Sequence, residues 1–139
     1  MSRYHIVGRA GAGSLIAEVL FREAGVDYDI SFPDPAEVKT PDFYASNPLG
    51  RIPVLLCPDG RKIFETLAII NHITTHFTQL APPVGSPAYD RYSQFMALMA
   101  TSIYPAYHRQ HHSYYYADES ALESLRARAV EEQALLYDY

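Results

Sequence analysis

Three stretches of this 139-residue chain combine residue types and spacings that can do chemistry. Glu65 and Thr66 stand where an apolar run ending at Phe64 gives way to a helical pattern. The first N–H groups of a helix lack acceptors and its dipole favours an anion, so this junction suits a carboxylate ligand. A plain helix N-cap is the simpler use of the same two residues. Pro53 follows Ile52 at the head of IPVLLC. A cis bond costs only about 0.5 to 1 kcal/mol before proline against roughly 2.5 to 4 elsewhere, so a cis turn is cheap there. His108, His111 and His112 invite a metal reading, because 108 and 112 share a helix face. No carboxylate or cysteine nearby completes that set and the HExxH spacing is absent, so no metal is expected. The glycines of GRAGAG, with Asp29 further on, imitate a dinucleotide fingerprint, but their spacing is wrong and no further strand-helix repeats follow.

These residues are positioned by a readable series of elements. YHIVG, residues 4 to 8, is β-prone, and GRAGAG releases the chain into a helical stretch from Ser14 to Ala24 with Leu15, Val19 and Leu20 at helical spacing. Gly25 ends that helix, and Val26, Tyr28 and Ile30 alternate in VDYDISF as a second strand. A strand, helix, strand run of this length forces a crossover, so the two strands should be parallel. A Pro-rich loop and a short helix at 41 to 46 lead to IPVLLC, the turn PDG and RKIF, which signal an antiparallel hairpin. A helix from Glu65 follows, with Leu67, Ile70, His72, Ile73 and Phe77 along it. The order βαβαββα, over residues 1 to 80, is that of a thioredoxin-like α/β domain with a mixed four-stranded sheet.

APPVGSP, residues 81 to 87, reads as a linker, and residues 88 to 139 as the beginning of an all-α domain. Tyr92, Phe95, Met96, Met99 and Ile103 form one helical stripe, which Pro105 should kink or break. Ser120 and Glu123 have the spacing of a capping box ahead of Leu125, Ala129 and Leu136. Two helices alone leave an apolar face each uncovered, which implies a truncated bundle or one completed by another chain.

Composition narrows the function. Hydrophobic residues at 48% against 19% charged supply a core and exclude disorder. The net charge of −5 lies without a basic stripe, which argues against nucleic acid. A single cysteine, Cys57, rules out an intrachain disulfide and suits a reducing, cytoplasmic setting. No stretch approaches the roughly 20 apolar residues of a membrane span.

The longest ordered signature is NPLGRIPVLLCPDGRKIFETLAIINHI, residues 47 to 73, which resembles the N-x-x-G-x-[VI]-P-x-L and E-S-x-A-I pattern of the cytosolic, bacterial-type glutathione S-transferases. The resemblance implies a glutathione site made of Arg51, Ile52, Pro53, Glu65 and Thr66, with the Ile52 main chain pairing with the cysteinyl part like an added strand. Glu65 and Thr66 would take the γ-glutamyl amine and carboxylate, Thr66 keeping the hydroxyl of the family's serine. GRAGAGSLIAEVL resembles the bacterial GACSLA form with Gly13 in place of the cysteine, which removes mixed-disulfide chemistry and leaves Ser14 as the implied thiolate-stabilising group. Tyr4 and the N–H groups of Ala12 and Gly13 are the alternatives. Tyr104, Tyr107 and His108 would line a second-substrate pocket, and Arg109 could meet a glutathione carboxylate. The implied activity is attack of the glutathione thiolate on a small electrophile by a homodimeric enzyme. A GST-like binding or interaction protein is the alternative.

Overall fold

A computed structural model describes residues 3–138, which divide into two compact units between Pro83 and Val84. In the first unit the elements run β1 (Tyr4–Val7), α1 (Leu15–Glu23), β2 (Tyr28–Ser31), a 3-10 turn (Glu37–Lys39), α2 (Pro41–Tyr44), β3 (Val54–Leu56), β4 (Lys62–Phe64), α3 (Thr66–His76) and a second 3-10 turn (Thr78–Leu80). The strands lie in the order β2-β1-β3-β4. β1 and β2 are parallel, while β3 is antiparallel to both β1 and β4, so the thioredoxin-like mixed sheet is present.

Local chemistry explains the boundaries. Gly25 adopts φ +69° just past α1. The N–H groups of Gly25 and Val26 return to the carbonyls of Arg22 and Phe21, a Schellman closure. Thr40 caps α2 by accepting from the Phe43 N–H, with Pro41 preset for the first turn. The core joins Ile6 and Leu55 of the sheet, Ala17 and Phe21 of α1, Ile69 and Ile73 of α3, and Cys57. The apolar face of α1 differs from the expected one. Leu15 and Val19 are exposed, whereas Ser14, Ala17 and Phe21, spaced three and four apart, are buried.

The second unit contains α4 (Pro87–Leu98), a π segment (Met99–Ile103), α5 (Tyr104–His111), 3-10 turns at Ser113–Tyr115 and Glu119–Ala121, and α6 (Leu122–Leu136). Proline lacks an N–H and its ring clashes with the carbonyl four residues back, so the helix ahead of Pro105 widens and Tyr104 N–H bonds to Met99 O. Met99, expected inside on the stripe that precedes this turn, is exposed. The capping box does not form either: Ser120 lies within a 3-10 turn, Ala121 occupies the N-cap of α6, and no side chain caps it. Polar pins join α5 to α6, namely Arg109 to Glu132 and Gln133 to Gln110, and Arg126 donates to the buried Ser113 hydroxyl just past α5.

Candidate functional site

Sheet register brings the scattered sequence candidates to one edge. Ser31, Val7, Val54 and Phe64 form a single row across all four strands. The next residue outward at that end is Gly8 after β1, Pro53 before β3 and Glu65 after β4. The Ile52–Pro53 peptide bond is cis. The N–H and C=O of Ile52 make no hydrogen bond to another described residue, leaving a short free edge of main chain. Arg51 is exposed, and its carbonyl is held by a buried side chain: Asn47 Nδ2 donates to it at 2.7 Å while Asn47 Oδ1 accepts from Leu49 N–H at 3.0 Å. Asn47 is 2% exposed, so it braces the loop from within rather than meeting a ligand.

Glu65 adopts φ +69°. Non-glycine residues occupy that region at a cost of order 1–3 kcal/mol. Its carboxylate makes no capping bond to α3, so the plain N-cap use is not what the structure contains. Thr66 begins α3, whose first backbone bond runs from Ile69 N–H to Glu65 O and leaves the earlier N–H groups unpaired within the helix. Lys39, to which no sequence signal pointed, donates from Nζ to Gly50 O at 2.9 Å and sets a cation beside the Gly50–Ile52 run. The asparagine could have been found from the motif that contains it; the lysine could not, because only the fold of the 33–46 loop brings it here.

Ser14, the implied thiolate-stabilising group, is held by the main chain of its own loop. It is 1% exposed, its hydroxyl donates to Arg9 O at 3.0 Å and accepts from Arg9 N–H at 3.2 Å, and it does not cap α1. Its proton goes to a carbonyl, so the hydroxyl forms a clasp across the loop. The clasp explains Gly8: a Cβ there would sit 2.3 Å from Ser14 Cβ. Tyr4 opens β1 at the opposite end from Gly8, with its ring 4.7 Å from Phe21. Burial raises its phenol pKa, with Cys57 adding to the shift. Ala12 N–H is bonded to Arg9 O at 3.1 Å. The N–H groups of Gly13 and Ser14 have no acceptor among the described residues, and they point the positive end of α1 at this edge.

In the second unit, α5 carries Tyr104, Tyr107 and His108 together: the two phenol rings stack 6.1 Å apart and both are exposed, and His108 Nδ1 meets Tyr116 Oη at 2.8 Å. Arg109, expected as a possible contact of a glutathione carboxylate, pairs with Glu132. His112 Nδ1 likewise meets a phenol, Tyr114, at 3.0 Å. Among the described residues no three His, Cys, Asp or Glu side chains are grouped to hold a metal.

Residues 3–75 match the family described as glutathione S-transferase, N-terminal domain. The chain belongs to the glutathione S-transferase family. It is 28% identical over 104 residues to glutathione S-transferase GstA of Escherichia coli O157:H7, a match covering 71% of this chain and 52% of that protein. The chain thus spans about half the length of this curated relative. In fold it is similar to a glutathione transferase homologue from Sulfitobacter solved with bound glutathione, with a TM-score of 0.88 at 23% identity over 99% of this chain and 68% of that one. It is also similar to Ure2p in complex with glutathione, with a TM-score of 0.84 at 20% identity over 99% of this chain and 66% of the other.

Proposed function

We propose that this protein binds glutathione at the Gly8–Pro53–Glu65 edge and activates its thiol for attack on a small electrophile, as a cytoplasmic homodimer acting in detoxification. The observation that carries the reading is the free main chain of Ile52 flanked by Glu65 and the start of α3. An extended peptide can add to such an edge as one more strand, its cysteinyl residue pairing with Ile52. Glu65 suits the γ-glutamyl amine, the first N–H groups of α3 with the Thr66 hydroxyl suit its carboxylate, and Lys39 and Arg51 suit the glycyl carboxylate. The thiol would lose its proton to solvent, and the thiolate would be held by the Gly13 and Ser14 N–H groups at the start of α1. A free thiol titrates near 8.5, so such donors are what favours the anion at neutral pH. The thiolate then forms a sulfur–carbon bond with the electrophile, either adding across a double bond or displacing a leaving group. Tyr104, Tyr107 and His108 remain the proposed second-substrate residues.

A second reading, a glutathione-binding protein without transferase activity, is favoured by the committed Ser14 hydroxyl and by glycine at position 13. Calorimetry with glutathione at neutral pH, with the ultraviolet absorbance of bound thiolate, separates the two on wild type and Ser14→Ala. Main-chain activation predicts a thiolate signal in both proteins, with weaker binding in Ser14→Ala because the loop loses its clasp. A thiolate signal abolished by Ser14→Ala would return the hydroxyl to the donor role. Binding without thiolate would support the binding protein, and no binding would overturn both.

A further inference from the structure

At the other end of α3 two imidazoles share one place. His72 and His76 are one helical turn apart, with ring centres 4.1 Å from each other. His76 Nδ1 meets the His72 carbonyl at 2.8 Å. Since a carbonyl can only accept, Nδ1 carries the proton. His72 is half-buried, and its Nε2 faces Tyr4 Oη of β1 at 3.4 Å and Cys57 Sγ, just past β3, at 3.5 Å. Tyr4 packs on Phe21 and Phe77, and Cys57 belongs to the central core, so this nitrogen looks into the seam between helix and sheet. The remaining charges facing it are Arg61 and Asp59 of the β3–β4 turn, which pair with each other at 2.7 Å. Burial, the His76 charge and Arg61 all push the His72 pKa down, and Asp59 alone opposes them.

We infer that His72 and His76 form an acid-sensitive latch for α3. With both rings neutral they stack and α3 stays seated on the sheet. A proton taken up at His72 places a cation between a phenol and a thiol in the seam, with a second imidazole ring 4.1 Å away. The C-terminal half of α3 then loses its seat. Thr66 opens the same helix six residues earlier, about 9 Å away, so the latch would tie the candidate site to pH through one rigid element.

The sign follows from linkage. His72 has a lower pKa folded than unfolded. Its stabilisation is therefore complete above the unfolded value near 6.5 and drains away as pH falls below it. Urea unfolding between about pH 7.5 and 5.5, above the carboxylate range, reads this on the apo chain without reference to any ligand. The folding equilibrium constant should fall on acidification by up to about tenfold per pH unit, and His72→Gln should flatten that slope. Should His72→Gln not fold, NMR titration of the imidazoles in wild type and His76→Gln decides the matter. The His72 midpoint should rise when its neighbour is removed. Equal pH slopes in wild type and His72→Gln, or a His72 midpoint unmoved by His76→Gln, would overturn the latch.

Discussion

Glu65 and Ser14 illustrate how a side chain's type can be legible while its use is not. Glutamate at a strand-to-helix junction announces a polar site, but nothing in the residue order says that its backbone is held at φ +69°. Glu65→Gly removes that backbone cost and should raise stability by about 1 kcal/mol in urea unfolding, because glycine occupies positive φ freely. The same change should weaken glutathione binding at least about tenfold in calorimetry, since a charge-assisted hydrogen bond worth about 1.5–3 kcal/mol is lost. Ser14 is the reverse case. A serine ahead of a helix looks like a cap or a thiolate's partner, yet both hydrogen bonds of its hydroxyl go to Arg9. That pairing depends on a short loop closing on itself, which residue spacing does not encode. Asn47 was visible only as a letter of a motif, and its burial and two main-chain bonds supply the physical reason for it.

Elements were legible where a period repeats, and illegible where one turn departs from it. The alternation in VDYDISF, the hairpin signal around PDG and the glycine after α1 each correspond to an observed strand, turn or cap. The inward face of α1 did not follow from hydrophobicity, because Ala17 and Ser14 pack closely there and the larger Leu15 and Val19 are left outside. Likewise Met99 lies on the apolar stripe of α4 and is exposed, and the π turn that follows shifts the phase only of the residues beyond it. Ser120 tests the same lesson. α6 begins after it without a side-chain cap. Ser120→Ala should therefore change stability in thermal unfolding by less than about 0.5 kcal/mol. A working capping box would instead cost about 1 kcal/mol on the same change.

The molecule as a whole divides between Pro83 and Val84, inside the proline-rich segment whose composition marked it as a connection. Val84 is 83% exposed and is followed by Gly85 at φ +82°. Such a segment fits an extended protease site, so brief treatment with elastase, which cuts after small apolar residues, should cleave after Val84 before any site within α1 or α3. Mass spectrometry of the two products checks this. The mixed sheet and the helical second unit were legible because each follows from short connections and hydrophobic period, whereas the pairing of β1 with β3 came only from the fold. The site became visible only once register aligned positions 8, 53 and 65 in one row. Cys57, finally, is the sole sulfhydryl in 139 residues and is 1% exposed in the core beneath α3, with burial raising its pKa. A thiol that is both hidden and protonated reacts slowly, so the native sequence is already a silent background for site-specific labelling. A cysteine introduced at an exposed position such as Val84 would take a maleimide dye on its own, and the core would need no prior mutation to permit it.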